Sequence, residues 1–271
     1  MIVAGARRWK LANRALAVLT VVILLYLVLP TLIIVPMSFS NESFLAFPPS
    51  GYSFRWYRAF ADSLDYQQAV VNSLEIGIPA ALLATVLGTL AAVPLVRGNI
   101  RGARGLSTLM LAPVVLPQIV LAIGLYPVMV RLGLIGSYPA VLLGHTVVCA
   151  PLVFVIVSAG LRSYSPSIEL AAMTLGASMW QTFWWVTFPL IRSALAVGFI
   201  FAFTFSFDEL ILAMFLTSAT TRTLPRLLWE QLNYQMTPII AAATTCILCL
   251  TVCLLIAGAW LSRRQTARRA A

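Results

Sequence analysis

The chain has 271 residues, of which 61% are hydrophobic and 10% charged, and a formal net charge of +10. Soluble domains average roughly 45–50% apolar and about 25% charged residues, so disorder, a collagen-like repeat and a small disulfide scaffold are excluded. An ordinary soluble enzyme lacks the interior to hide this much apolar surface, which leaves a multispanning membrane protein.

A membrane helix needs about 20 mainly apolar residues. In chain order, six segments meet that requirement: 15–37, 69–96, 106–130, 138–160, 187–216 and 236–261. The first follows a basic tail, 1–14, that looks like the start of a signal peptide. Its apolar stretch is too long for one and no small-residue cleavage site follows, so it reads as a retained anchor. A long loop, 38–68, then carries Pro48, Pro49, Gly51 and several aromatics, with a short interfacial helix expected near Phe54–Phe60. Pro79, Pro94, Pro113, Pro117, Pro127 and Pro151 recur within the later spans, where neighbouring helices can re-satisfy freed carbonyls and kinks are tolerated. A basic tail, 262–271, ends the sequence.

Orientation follows from the basic loops. With the N-terminus inside, Arg7, Arg8, Lys10, Arg14, Arg97, Arg101, Arg104, Arg162, Arg192, Arg263, Arg264, Arg268 and Arg269 fall inside. Arg55, Arg58, Arg131, Arg222 and Arg226 fall outside. Both termini are therefore expected in the cytoplasm. The basic pI is assigned to topology and not to nucleic acid, because the cations lie between apolar runs. Cys149, Cys246, Cys249 and Cys253 all lie in apolar segments without polar neighbours, so they read as small packing residues and not as a zinc site.

The connection between spans four and five, 161–186, is unusual. Ser165 and Pro166 offer a helix start, Gly176 a stop, and Trp180, Phe183, Trp184 and Trp185 an aromatic cluster suited to the headgroup zone. By shape alone this is an amphipathic interfacial helix.

The residue pattern goes further. The segment resembles the cytoplasmic EAA loop of ABC importer permeases: Ala171, Ala172, Gly176 and Pro189 match at the right spacing, with Val186 and Phe188 where Ile and Leu are usual. Leu170 stands at the motif's glutamate position, and Glu169 lies one residue earlier. Asn72–Ser73, LAPVVLPQIV, FTFSFDELILAMFL and RTLPRLLWEQL extend the likeness over about 65–260. The FSFDE segment and the following T-R-T-L-P narrow it to the PotC-like branch of spermidine/putrescine permeases.

The resemblance implies an all-α, polytopic membrane protein with six transmembrane helices and the type I ABC importer permease fold. It implies a permease core over 69–261 in a bacterial inner membrane. A coupling helix over 165–178 would dock on an ATP-binding subunit dimer, with Glu169, Leu170, Ala171, Ala172, Gly176, Ala177 and Pro189 as the coupling residues. A second, PotB-like permease chain and a periplasmic or lipid-anchored substrate-binding protein would complete the complex. No cofactor is expected on this chain, since ATP and magnesium would be bound by the ATPase.

Lys10 is the only lysine and sits outside any Gly-rich pattern, so no phosphate-cradling P-loop exists here. His145, the only histidine, lies in span four and reads as a hydrogen-bonded structural residue. Ionisable groups within spans usually face a cavity or a partner. Asp208 and Glu209 are the strongest such pair, and two adjacent carboxylates favour a cationic substrate. The plainer reading is that one of them caps a broken helix or pairs with Arg222 or Arg226. Glu75 is a weaker candidate for the path, and Tyr126, Tyr138, Trp229 and Tyr234 are candidates for stacking on a cation. Three alternatives stay open: a permease for another small solute, such as an amino-acid-like compound or a metal ion; a gradient-driven secondary carrier, although no inverted repeat is visible; and a membrane-embedded scaffold or assembly factor with no transport.

Overall fold

Long apolar runs become long helices because helices alone satisfy their own backbone in hydrocarbon. A computed structural model describes the backbone of residues 2–234 and 236–270 and the side chains of 13–234 and 236–261. The side chains of Arg7, Arg8, Lys10, Arg263, Arg264, Arg268 and Arg269, on which much of the charge asymmetry rests, lie outside the described residues. The described residues form twelve α-helices, one π-helical turn and no named strand.

The chain divides into two compact units, residues 1–63 with 231–248 and residues 64–230 with 249–271. In the first, α1 (Ile2–Ser38) carries an apolar stretch, Asn13–Ser38, that is exposed over residues 13–30 and buries Ser38 at its end. The segment after it folds back: Ser40 bridges Tyr52, Trp56 Nε1 donates to the Glu42 carbonyl, and Phe39 packs on Phe54 and Tyr57. This sets up α2 (Arg55–Asp62), a short helix where one was expected, near residues 54–60.

In the second unit, α3 (Leu64–Arg97), α6 (Tyr138–Arg162) and α9 (Phe188–Phe207) pack on one another. The α3–α6 approach is close because Gly88 faces the α6 backbone. A Cβ there would lie 2.9 Å from the Ala150 carbonyl oxygen and from the Phe154 nitrogen. Small residues at such crossings let helix backbones meet where no hydrophobic effect drives them together.

Two expected spans are broken. The third is not one helix over 106–130 but α4 (Ala103–Val115) and α5 (Gln118–Arg131), bent by 97°. Pro117 forces the extended conformation on Leu116 and has no N–H to continue the ladder, so the chain turns there. The fifth, expected over 187–216, ends at Phe207. Asp208 leaves the helical conformation with its N–H still on the Thr204 carbonyl, and α10 (Ile211–Leu216) restarts after it. Five helices are long and apolar enough to cross a membrane, and the number is six if the bent pair counts as one span. The last is α12 (Pro238–Ala270), which follows α11 (Leu224–Tyr234).

Candidate coupling helix and substrate cavity

At one end of α3 lies α7 (Ser167–Thr174). Ser165 Oγ accepts the Ser167 N–H, and the acid Glu169 occupies the first turn, where the helix dipole favours negative charge. The helix ends as the sequence suggests. Gly176 takes φ +94°, its N–H bonds the Met173 carbonyl, and the Ala177 N–H reaches back to Ala172. These two bonds make a Schellman motif, which requires a residue that tolerates the left-handed region.

Two residues later a capping box begins the next helix, α8 (Met179–Thr182). Gln181 N–H donates to Ser178 Oγ, and Ser178 N–H donates to Gln181 Oε1. The π-helical turn Phe183–Thr187 then leads into α9, carrying a ring cluster of Trp180, Phe183, Trp184 and Phe188.

The coupling candidates divide by exposure. Leu170, Ala171, Gly176 and Pro189 are exposed, and Ala172 and Ala177 half-buried. Ile168, Met173 and Leu175 add to this apolar surface. Glu169 is turned inward and only 7% exposed. Its Oε2 lies 2.8 Å from Arg97 Nε at the end of α3, a charge contact whose N–H is not aligned for a hydrogen bond. Its Oε1 accepts from Tyr164 Oη at 2.6 Å and Thr187 Oγ1 at 2.7 Å. Arg97 also donates to the Leu161 carbonyl, and its guanidinium lies 4.4 Å over the Tyr164 ring. Burial and the bond to Glu169 push the Tyr164 phenol above its ordinary range, so it stays a donor. Arg97, read from sequence as a topology charge, is thus a structural partner. Its basic position at a helix end gave no sign of the distant acid.

The second site is a cavity of about 530 Å³ at the break after α9. At 1.5 Å per residue this break lies about 30 Å from the start of α9. Leu152, Phe201, Phe205 and Leu255 supply apolar walls, and Gln118, Asp208 and Glu209 the polar groups. The two acids differ. Glu209 is buried, accepting Leu212 N–H in the first turn of α10 through Oε1 and Gln118 Nε2 through Oε2 at 2.8 Å. Asp208 is exposed to the cavity, and among the described residues no hydrogen bond or ion pair engages its carboxylate. Glu209 therefore serves the helix restart. Neither acid pairs with Arg222 or Arg226, which meet Glu230 instead, and Arg222 also approaches Asp65. Gln118 went unnoticed in the sequence, although a lone polar residue directly after a proline in an apolar run is a legible signal.

Glu75 is exposed on α3 beside Tyr138 and is not among the cavity's lining residues. Tyr138 Oη donates to Asn72 Oδ1, which also accepts from Gln68. Asn72 Nδ2 donates to the Thr220 and Arg222 carbonyls, and Ser73 Oγ accepts the Leu224 N–H. Asn72–Ser73 thus holds the loop between α10 and α11. His145 Nδ1 lies 2.8 Å from Ser206 Oγ, within the α6–α9 packing. Cys149 is buried, its thiol on the Ala202 carbonyl, and no metal-ligating cluster occurs among the described residues.

Comparison with known proteins agrees with this architecture. The family model described as binding-protein-dependent transport system inner membrane component matches residues 84–267. The putrescine transport system permease protein PotI of Escherichia coli (strain K12) is 37% identical over 230 residues, covering 82% of each chain. The spermidine/putrescine transport system permease protein PotC of the same strain is 29% identical over 241 residues, covering 89% of this chain and 91% of the relative. Among solved structures, a bacterial alginate ABC transporter in complex with an alginate pentasaccharide-bound periplasmic protein aligns with a TM-score of 0.73 over 95% of each chain at 17% identity, a likeness of fold. The chain belongs to the family of binding-protein-dependent transport system inner membrane components and is a permease subunit of an ABC importer.

Proposed function

We propose that this permease imports a polyamine of the putrescine or spermidine class. The observation that carries the reading is the unpaired Asp208 carboxylate in an apolar-walled cavity at the break of α9. A polyamine presents ammonium groups on a methylene chain. The carboxylate suits the former, and the Phe201 and Phe205 rings suit both parts. PotI and PotC, whose names specify putrescine and spermidine/putrescine transport, support the same class.

The chain is the passive member of its complex. ATP and magnesium are handled by a separate ATPase dimer, the other half of the path comes from a second, PotB-like permease chain, and a periplasmic or lipid-anchored binding protein delivers the substrate. The apolar surface of Leu170, Ala171, Met173 and Gly176 enters the ATPase groove from the cytoplasm, which puts both termini on that side and leaves Glu169 as an internal support. The permease core is residues 69–261, preceded by the anchor 15–37 and the loop 38–68.

The test is ATP-dependent uptake of labelled putrescine and spermidine by vesicles carrying the complete complex. Asp208→Asn is expected to lower uptake by about tenfold, the size of one lost charge-assisted contact, at unchanged membrane abundance. Unchanged uptake would remove Asp208 from the path. Gly176→Asp is expected to abolish uptake, and normal uptake by that variant would overturn the docking surface.

A further inference from the structure

The motif's usual acid position lies on the exposed face of α7, where this chain carries Leu170, 58% exposed. One residue earlier is a rotation of about 100° on a helix, enough to carry Glu169 off the exposed face and into a buried position. There it meets groups from three other segments. Arg97 comes from the end of α3, Tyr164 from the turn after α6, and Thr187 from the π-helical turn that leads into α9. Arg97 in turn holds the Leu161 carbonyl near the end of α6 at 2.6 Å and the Tyr164 carbonyl in the turn after it at 3.4 Å.

Covalently, α7 is joined only to α6 and to α8. The α3 helix is joined to neither, yet it is packed against both α6 and α9 along the core. We propose that the Arg97–Glu169 ion pair is the mechanical link between α7 and α3, delivering displacement of α7 directly to that helix. This rests on the reading of α7 as the element gripped by the ATPase.

The physical case is one of stiffness. A charge pair with side chains 14% and 10% exposed is weakly screened. Both Glu169 oxygens are engaged and the guanidinium is sandwiched between carbonyls and a ring, so neither partner can swing away without leaving the other buried and unpaired. Thr187 is the second useful contact. It ties the same carboxylate to the start of α9, so one acid couples α7 to two of the three core helices. Both Arg97 and Glu169 are positioning residues that lie far from the substrate cavity.

The experiment is a double-mutant cycle on the complete complex, purified through a tag on this chain and placed in vesicles. Arg97→Gln, Glu169→Gln and the double variant are compared for ATPase co-purification, ATP hydrolysis and labelled putrescine uptake. Tyr164→Phe, which keeps the ring under Arg97 and removes one bond to Glu169, serves as a milder variant that preserves folding.

The expected result is retained ATPase and retained hydrolysis, with transport per ATP falling about tenfold in each single variant, a loss within the usual range of coupling energies. The double variant should be no worse than either single one, and Tyr164→Phe should fall between wild type and the singles. An unchanged transport-to-hydrolysis ratio in both singles would overturn the proposal, and so would strictly additive losses in the double variant. Loss of the ATPase from all of the variants would also overturn it, since the pair would then only fold α7. If the wild-type complex itself carries no ATPase, it is the docking reading that fails.

Discussion

Gln118 Nε2 donates to Glu209 Oε2 across 2.8 Å, and this one bond joins the break between α4 and α5 to the break between α9 and α10. Gln118 opens α5 after the Pro117 bend, and Glu209 precedes α10 after the end of α9. The cavity bearing Asp208 exists where these two discontinuities meet.

Glu209 and Asp208 should therefore respond oppositely to substitution. Glu209→Leu strands the buried Leu212 N–H, at a cost of about 1–3 kcal/mol, and releases the half-buried Gln118 amide to the cavity. Thermal unfolding of the purified chain should show a lower midpoint and reduced membrane abundance. Asp208→Asn should leave both unchanged while uptake falls. Equal thermal behaviour of the two variants would contradict this division of labour.

Gly88 is a packing prediction. Any side chain there meets the α6 backbone at 2.9 Å, and backbone cannot rotate away. Gly88→Ala should cost about 1–3 kcal/mol, as overpacking generally does, and Gly88→Val more. A melting temperature of Gly88→Ala within error of wild type would show that α3 and α6 can separate freely.

Gly176 fails for a different reason. A Cβ at this position meets nothing within 4 Å, so space is no obstacle. The positive φ is the obstacle, costing an ordinary residue about 1–2 kcal/mol. Gly176→Asn should retain more uptake than Gly176→Ala, because Asn enters the left-handed region more readily. The reverse order would mean that bulk at the docking surface matters more than the Schellman turn.

The Tyr164 phenol gives an alkaline signature. Burial first, and then the bond to Glu169, raise its pKa above the ordinary 10.0, so the folded protein holds the proton more tightly than the unfolded chain. Its contribution is complete below about pH 10 and is lost as pH rises through the folded value, because the unfolded phenol ionises first. Unfolding midpoints followed from pH 8 to pH 11 should fall at the alkaline end in wild type and fall less in Tyr164→Phe. Parallel curves would show that the phenol does not sense its surroundings.

Much of this was legible in the sequence. Apolar length located the long helices, Ser165–Pro166 and Gly176 marked the two ends of α7, and the aromatics after Pro49 marked α2, whereas the capping box that starts α8 went unread. The breaks were not legible as breaks. Apolar composition continues through Leu116 and on from Leu210, so hydropathy reads straight across both, and Pro117 looks like one more tolerated kink. At the cavity, sequence supplied two adjacent acids but not their roles, because the difference depends on Gln118, which is 91 residues from Glu209. The ion pair under α7 was hidden for the same reason. Arg97 and Glu169 belong to separate segments, each with a sufficient local explanation.

The Asn72 amide spends both its hydrogens on the Thr220 and Arg222 carbonyls and its oxygen on Tyr138 and Gln68. Hydrolysis to aspartate, the common ageing lesion of asparagine before serine, would set a negative oxygen against two carbonyl oxygens and unlatch the loop. Yet that lesion needs the Ser73 nitrogen to attack the amide carbon, and here the nitrogen is in mid-helix while the amide is gripped at every corner. The asparagine that latches this loop is thus shielded from that decay by the same four bonds that do the latching.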